Sequence, residues 1–173
     1  MKILIKNALA VVEPSDTKDL FQVKNNSILI DGNIITKIGY NLEDEADEVI
    51  DATGKIVYPG LVNTHHHLMQ AFARNIPKAQ KLELFDWLYI VFDVLSKVDP
   101  DFLYHTMLVS GGELMRYGCT TLFDHQYSYP NGQSLELIDA QFDGAKELGI
   151  RYICGRGGIT RGVNNGGSAP ECI

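Results

Sequence analysis

Apolar residues in the first part of the chain follow the two-residue period of β-strands. The alternation predicts one strand over residues 2–12. Two further apolar runs, residues 27–30 and 34–38, flank the tripeptide Asp31-Gly32-Asn33. Glycine accepts the positive φ that a tight turn requires, so this arrangement predicts a β-hairpin. This part of the chain, up to about residue 57, is therefore expected to consist of short strands and turns.

The pattern changes at the tripeptide Tyr58-Pro59-Gly60. Residues 61–64 form a short apolar run that leads directly into three consecutive histidines, and they predict a strand. The stretch between the histidines and residue 98 is predicted to be rich in loops. A helix is expected over residues 100–117, because aspartate precedes it as an N-cap, proline occupies its first position and glycine follows it.

The last third of the chain alternates between strand and helix patterns. Residues 120–123 predict a strand, and residues 134–148 carry apolar positions at helical spacing before a closing glycine. Residues 150–154 predict a further strand. Strands alternating with helices indicate a parallel sheet of βαβ units. The glycine-rich tail, residues 155–173, resembles an interrupted active-site loop.

The composition indicates a folded chain and disfavours two classes of partner. Of the 173 residues, 45% are hydrophobic and 21% are charged, so the chain can bury a core. The net charge of −7 argues against nucleic acid and anionic membranes as partners, because phosphates attract basic surfaces. The acidic segment 43–48 is interpreted as a solvated loop rather than a cation site. A small neutral or weakly charged molecule is the expected ligand.

The cysteines and the N-terminus together predict a cytoplasmic location. Cys119, Cys154 and Cys172 are widely spaced and odd in number, which favours neither a disulfide framework nor a structural zinc knot. The N-terminus lacks the long apolar region and the cleavage site of a signal peptide. No apolar run approaches the roughly 20 residues of a membrane-spanning helix.

The three histidines at the end of the first predicted βα strand carry the chemistry. Successive side chains of a strand point to opposite faces, so His65 and His67 share one face and His66 points away from them. Two imidazoles on one face can both reach a single metal ion at about 2.0–2.1 Å. The alternative is that the histidines only satisfy local hydrogen bonds.

These residues identify a resemblance to a known family. The segment 58–68 resembles the first-strand metal motif of the amidohydrolase superfamily, and residues 118–125 are similar to its second strand. Residues 28–35 resemble the small β-sandwich that precedes the barrel of that family. The resemblance implies an α/β fold: part of a β-sandwich over residues 1–57, then an incomplete (β/α)8 TIM-type barrel with its first three strands over residues 58–173.

The details of the sequence are most similar to one branch of that superfamily. Gln70, the Trp87 region and the segment 124–130 resemble 8-oxoguanine deaminases and hydroxyatrazine-type aminohydrolases. The resemblance implies one divalent metal, usually zinc, with iron as an alternative. It also implies hydrolytic removal of an exocyclic amine from a purine- or triazine-like ring by metal-activated water.

The resemblance also implies roles for individual residues. His65 and His67 would be metal ligands, and Gln70 would hydrogen-bond the heterocycle. Trp87 would form a wall of the substrate pocket, although a core aromatic needs no functional role. Arg156 would fix a ring carbonyl, with an ion pair that supports the loop as an equally weighted alternative.

The departures from the family pattern narrow the prediction. Dinuclear members commonly carry aspartate two positions before the first motif histidine, and Asn63 stands there in this chain, which favours the mononuclear deaminase branch. The further histidines, the general acid/base and the late aspartate of the family are expected beyond residue 173. The isolated chain is therefore expected to be inactive, and a full-length relative is the expected enzyme. Whether that relative forms a homo-oligomer is left open. The alternatives are a hydrolase of cyclic amides, ureas or chlorotriazines, or an inactive fragment.

Overall fold

The computed structural model describes residues 1–15, 21–133, 136–167 and 169–171. The chain divides into two compact units, Met1–Pro59 and Gly60–Ile173, two residues beyond the boundary that the sequence predicts. The architecture is mixed α/β, with strands in both units and the helices in the second.

The described part of the first unit contains seven strands in two sheets. These are β1 (Lys2–Lys6), β2 (Ala10–Pro14), β3 (Phe21–Asn25), β4 (Ser27–Asp31), β5 (Ile34–Gly39), β6 (Glu48–Asp51) and β7 (Ile56–Val57). One sheet has the order β5-β4-β1-β6 and the other β3-β2-β7. The predicted hairpin is confirmed, because β4 pairs antiparallel with β5 and Gly32 adopts a φ of 61° in the connecting turn.

Two predictions for this unit are wrong in detail. The single strand over residues 2–12 is divided into β1 and β2, which lie in different sheets, because Asn7 adopts a left-handed φ of 63° between them. The acidic segment is a loop only up to Asp47, and Glu48 begins β6. Asp44 pairs with Lys37, and the Asp47 carboxylate accepts a hydrogen bond from the Lys2 backbone amide at 2.7 Å.

The second unit is built on a parallel sheet flanked by helices. Its elements are β8 (Leu61–Asn63), α1 (Leu84–Leu95), α2 (Pro100–Thr106), α3 (Gly112–Arg116), β9 (Cys119–Gln126), α4 (Leu137–Leu148) and β10 (Arg151–Arg156). The sheet order is β10-β9-β8, and both pairings are parallel, as the alternation of strands and helices predicts. Of the residues predicted to begin α4, Ser134 and Leu135 lie outside the described residues.

The helix predicted over residues 100–117 begins as expected but is not continuous. The Asp99 side chain accepts a hydrogen bond from the Phe102 amide at 2.7 Å, which confirms the N-cap. A π-helical turn over Met107–Gly111 separates α2 from α3. Glycine permits this close packing, because a Cβ atom at Gly111 would lie 2.9 Å from the Leu148 side chain on α4.

The prediction of a loop-rich stretch over residues 68–97 is wrong. It contains the twelve-residue helix α1 and two 3₁₀ turns, Leu68–Ala73 and Pro77–Ala79. The apolar residues of α1 are interrupted by Asp86 and Asp93, which are seven residues apart and lie on one helix face. Its N-cap residue Glu83 makes no capping hydrogen bond, so no capping signal marks its start. Its last turns are buried in the core at Val91, Phe92 and Leu95.

Two apolar clusters hold the helices and turns of this unit together. One joins α1 to the turn after the histidines and to the start of α4, and the other lies between α4, the π-helical turn and β9. Cys119 is buried and Cys154 is half-buried, both as free thiols, whereas Cys172 lies outside the described residues. Within the part of the chain that the structure describes, no helix has the length and apolar character to cross a membrane.

Candidate functional site

The histidine segment leaves the end of the short strand β8 and is fixed by local hydrogen bonds. The Asn63 side-chain oxygen accepts a hydrogen bond from the His65 amide at 3.0 Å. The imidazoles of His65 and His67 lie edge to face, with ring centres 5.0 Å apart and planes at 85°. Two imidazoles on one tetrahedral zinc ion at 2.0–2.1 Å have ring centres about 5 Å apart. The spacing of the two rings therefore fits a shared metal ion.

The protonation of His67 is set by the neighbouring strand. Its Nδ1 atom lies 3.0 Å from the backbone carbonyl oxygen of His125 at the end of β9. A carbonyl oxygen only accepts hydrogen bonds, so Nδ1 is the donor in this contact and Nε2 is the ring nitrogen left for a metal. Metal-binding histidines are commonly held in this way, with one ring nitrogen donating to a carbonyl and the other left for the metal.

His66 is directed differently and has another environment. It is half-buried, and its Nδ1 atom is buried without a hydrogen-bond partner among the described residues. Burial lowers the pKa of His66, which keeps the imidazole neutral near pH 7, although the nearby Asp124 carboxylate partly opposes the shift. His66 also lines the pocket described next, so the neutral ring borders the cavity.

A pocket of about 500 Å³ lies beside His67. Its lining combines aromatic, amide and charged side chains: His66, His67, Gln70, Ala71, Ala73, Arg74, Asn75, Gln80, Trp87, Ser110 and Glu113. Gln70 and Trp87, two of the residues that the sequence assigns to substrate, are thus brought together with His67. Arg74 and Glu113 form an ion pair at 2.9 Å with both side chains about half exposed. The volume and the mixed lining suit a small heterocycle.

Tyr127 connects Gln70 to the histidines. The Gln70 Nε2 atom donates to the Tyr127 hydroxyl at 2.8 Å, which leaves the amide oxygen of Gln70 as a free acceptor in this arrangement. The Tyr127 ring lies edge to face against His67, with ring centres 5.2 Å apart, and 5.7 Å from the ring of His125. Burial raises the pKa of Tyr127, so its hydroxyl remains protonated.

Arg156 lies apart from this pocket. It pairs in register with Gln126 on the side of the sheet that the helices cover, and its guanidinium lies 4.5 Å from the centre of the Tyr129 ring. Burial raises the pKa of Tyr129 to about 12, and the Arg156 charge opposes that shift. The described contact of Arg156 is thus a cation–π contact with Tyr129 rather than an ion pair.

The described residues do not bring a third metal donor to His65 and His67. Within residues 1–15, 21–133, 136–167 and 169–171, no group of three histidine, cysteine or carboxylate side chains is arranged to hold a metal ion. His105 lies on α2, where its Nδ1 atom bonds the Asp101 carbonyl oxygen at 2.8 Å. His65 and His67 are therefore at most two of the three protein ligands that a catalytic zinc site usually has.

Sequence reasoning did not anticipate the parts played by Tyr127 and Asp124. Both belong to the segment whose resemblance points to the deaminase branch, but each contacts a residue more than 50 positions earlier, Leu68 for Asp124 and Gln70 for Tyr127. No local pattern predicts such contacts, so only the parallel pairing of β8 with β9 could have suggested them.

Comparison with known proteins identifies the family of this chain. Residues 56–171, more than half of the chain, match the amidohydrolase family. This chain belongs to the amidohydrolase family. It is 42% identical over 133 residues to hydroxydechloroatrazine ethylaminohydrolase from Pseudomonas sp. strain ADP, covering 76% of this chain and 28% of that protein. It is 32% identical to 8-oxoguanine deaminase from Pseudomonas aeruginosa over 169 residues, covering 96% of this chain and 36% of the deaminase.

Solved structures give the same family likeness. The crystal structure of atrazine chlorohydrolase from Arthrobacter aurescens TC1 in complex with zinc superimposes on this amidohydrolase chain with a TM-score of 0.88. The two are 29% identical, and the match covers 99% of this chain and 39% of the chlorohydrolase. The chain thus spans about a third of the length of these relatives.

Proposed function

We propose that this amidohydrolase chain contributes the first metal ligands and part of the substrate pocket of a deaminase. In this proposal His65 and His67 bind one divalent metal, and the complete enzyme hydrolyses a carbon–nitrogen bond of a purine- or triazine-like heterocycle. Oxidised guanine and guanine-type rings are the preferred substrates. Support comes from relatives that include an 8-oxoguanine deaminase and an ethylaminohydrolase of a triazine.

The single observation that carries the proposal is the paired arrangement of the two imidazoles. Their ring centres are 5.0 Å apart, and the Nδ1 proton of His67 is committed to the His125 carbonyl. The spacing fits two ligands of one ion, and the His67 contact leaves its Nε2 atom as the ring nitrogen for that ion. Zinc is the expected metal, with iron as the alternative, and a zinc complex of a related chlorohydrolase supports that choice.

In this proposal each pocket residue has a separate role in the reaction. A bound zinc ion supplies a hydroxide nucleophile near neutral pH by lowering the pKa of water. Gln70, held by Tyr127, presents an amide oxygen that accepts a hydrogen bond from a ring N–H or an exocyclic amine. Trp87 forms an apolar wall for the flat face of the ring. Arg156 remains a proposed contact to a ring carbonyl, which requires that its side chain leave Tyr129.

We also propose a place for the sheet in the complete fold. The strands β8, β9 and β10 would be the first three of a (β/α)8 barrel, and residues 1–57 part of the accompanying β-sandwich. Superposition on the triazine hydrolases over almost the whole chain supports this assignment. The general acid/base would lie in the remainder of such a barrel. The cytoplasmic location, the absence of a nucleic-acid or membrane partner and the homo-oligomer stay predictions.

Zinc binding by the chain tests the proposal directly. Isothermal titration with ZnCl₂ is expected to detect one site per chain that His67→Ala removes. His105→Ala is the matched control, because it deletes an exposed histidine on α2 that does not line the pocket beside His67. Binding that survives His67→Ala, or that is lost equally in His105→Ala, contradicts the assignment. We expect no deamination of 8-oxoguanine by the isolated chain, since two histidines are fewer than the three protein ligands of catalytic zinc sites.

Hydrolysis of a chlorotriazine is the second candidate reaction. The observation in its favour is the superposition on atrazine chlorohydrolase with a TM-score of 0.88. Deamination releases ammonia or an alkylamine, whereas dechlorination releases chloride. A full-length protein that contains this sequence can therefore be assayed for both products with 8-oxoguanine, hydroxyatrazine and atrazine. Chloride as the dominant product would replace the deaminase proposal.

A further inference from the structure

A carboxylate is buried beneath the histidine segment. Asp124 on β9 is fully inaccessible to solvent, on the side of the sheet that the helices cover. Burial raises the pKa of Asp124, and the hydrogen bonds it accepts oppose that shift. Buried carboxylates are rare because desolvation is costly, and they are kept where their oxygen atoms are satisfied. Asp124 therefore needs an explanation beyond packing.

The hydrogen bonds of Asp124 connect three parts of the second unit. Its Oδ1 atom accepts from the backbone amide of Leu68 at 2.7 Å. Its Oδ2 atom accepts from Gln141 Nε2 on α4 at 3.1 Å and lies 3.2 Å from the Tyr152 hydroxyl on β10. The Tyr152 hydroxyl also lies 3.0 Å from Gln141 Oε1. One carboxylate oxygen is thus anchored to the helix and strand, and the other faces the histidine segment.

Leu68 follows His67 directly, so its amide fixes the backbone of the candidate metal ligand. Two more hydrogen bonds join the same segment to the end of β9: the His125 amide donates to the His66 carbonyl at 2.9 Å, and His67 Nδ1 donates to the His125 carbonyl at 3.0 Å. These two depend on the backbone of β9. The bond from Leu68 is the one of the three that depends on the identity of a β9 side chain.

We infer that Asp124 is a positioning residue, which holds the Leu68 amide and thereby sets the orientation of the His67 imidazole towards the metal. The inference rests on the proposed function of His67. A charged acceptor makes a hydrogen bond roughly twice as strong as a neutral one, which explains a carboxylate at this position. Gln141 and Tyr152 contact the other carboxylate oxygen, Oδ2, which does not bond the histidine segment.

Substitutions at Asp124 and Gln141 separate positioning from stability. Asp124→Asn keeps the shape but weakens the acceptor for Leu68, and Asp124→Ala removes it. Gln141→Leu is the matched control, because it removes a hydrogen bond to Oδ2 and leaves the bond from Leu68 in place. Amide hydrogen exchange of Leu68, taken relative to that of the core residue Leu122, reports the local bond in the metal-free chain. Nitrogen-15 NMR of the His67 ring reports which nitrogen carries the proton.

The expected result is a local change that follows Asp124 alone. Leu68 exchange should be about three- to tenfold faster in Asp124→Asn and on the order of tenfold or more faster in Asp124→Ala. The His67 ring should lose its uniform Nδ1-protonated form in both variants, and Gln141→Leu should change neither measurement. If Asp124→Ala does not fold, Asp124→Asn decides the matter. Either measurement being the same in Asp124→Asn and Gln141→Leu overturns the inference.

Zinc affinity tests whether the hydrogen bond of Asp124 affects metal binding by His67. In titrations with ZnCl₂, Asp124→Ala is expected to weaken binding about 10–100-fold relative to Gln141→Leu, as losses behind a metal-binding histidine typically do. Equal affinities in these two variants also overturn the inference. If the unsubstituted chain binds no zinc through His67, the proposed function fails, whereas exchange at Leu68 and the protonation of His67 still decide the role of Asp124.

Discussion

The two faces of the parallel sheet in the second unit differ in both cover and chemistry. On the face covered by helices, Leu122, Asp124 and Gln126 of β9 are fully buried, and two of these three are polar. On the opposite face, Val62 and Ile153 are 61% and 55% exposed beside Thr121 and Phe123. The buried face thus carries the polar side chains, and the exposed face is mainly apolar.

This difference shows that buried polar side chains need partners within the chain, whereas the apolar face has no cover among the described residues. Polar groups on the covered face have partners within the chain: Asp124 bonds Leu68, and Gln126 Nε2 donates to the Ser128 carbonyl at 2.7 Å. Parallel sheets are usually covered on both faces, and their strands are apolar for that reason. The apolar face around Phe123 has the composition of a barrel interior, which agrees with the proposed place of this sheet in a (β/α)8 fold.

The comparison is tested most strongly by removing one apolar side chain from each face. Leu122→Ala is expected to lower the free energy of unfolding by about 2–5 kcal/mol, because it leaves a cavity under the helices. Ile153→Ala in the adjacent strand should lower it by less than about 1 kcal/mol, because the side chain is already more than half exposed. Urea denaturation followed by circular dichroism measures both. Similar losses in the two variants would mean that the second face is covered in solution.

Glycine substitutions test how tightly the helices pack over the covered face. A Cβ atom at Gly144 on α4 would lie 2.9 Å from Met107 Cγ and 3.2 Å from the Tyr104 carbonyl oxygen. Gly144→Ala is therefore expected to lower the unfolding free energy by about 1–3 kcal/mol. Gly112→Ala is the control, since its Cβ would meet only Leu148 at 3.8 Å, and it should raise stability by up to about 1 kcal/mol. Thermal unfolding of both variants should give shifts of opposite sign; shifts of the same sign would refute the packing argument.

The smallest expected effect concerns Tyr129, which packs against the core from the loop after β9. Burial raises its pKa to about 12, above the ordinary value of 10. The folded state therefore binds this proton more tightly than the unfolded state, and its contribution to stability is present below pH 10 and is lost as pH rises towards 12. Because the ring is partly exposed, the loss should be less than about 1 kcal/mol. Urea denaturation at pH 9 and pH 11.5 is the measurement. Tyr129→Phe, as the control, should lose less stability between these pH values; an equal loss would contradict the shift.

The sequence predicts those elements whose signals are local. The hairpin at Gly32 and the N-cap at Asp99 each depend on a few neighbouring residues, and both are present in the structure. The parallel pairing of the strands was also predictable, because it follows from the alternation of strands and helices. The alternation of side chains predicts that His65 and His67 share one side, and their rings lie 5.0 Å apart, but His66 lines the same pocket as His67.

The features that were not predicted depend on distant contacts. Helix α1 begins at Leu84 without a capping hydrogen bond, and its last turns are held by packing against the core. The environment of Asp124 is formed by Leu68, Gln141 and Tyr152, which are 56, 17 and 28 positions away. The contact of Arg156 with Tyr129 depends on the path of the loop after β9. In each case tertiary packing determines the outcome, and no short segment encodes it.

The π-helical turn over Met107–Gly111 has a consequence for the evolution of this family. A π turn accommodates one more residue than an α-helical path between the same two ends. Because the two ends keep their positions, deleting one residue there would restore regular α-helix without rotating the residues that follow, and Glu113 would stay in the pocket with Gln70 and Trp87. Ser110 lies within the turn and also lines the pocket, so its position would change. A single-codon deletion or insertion at this position could therefore alter one part of the pocket wall of a relative while the rest of the lining stays in place.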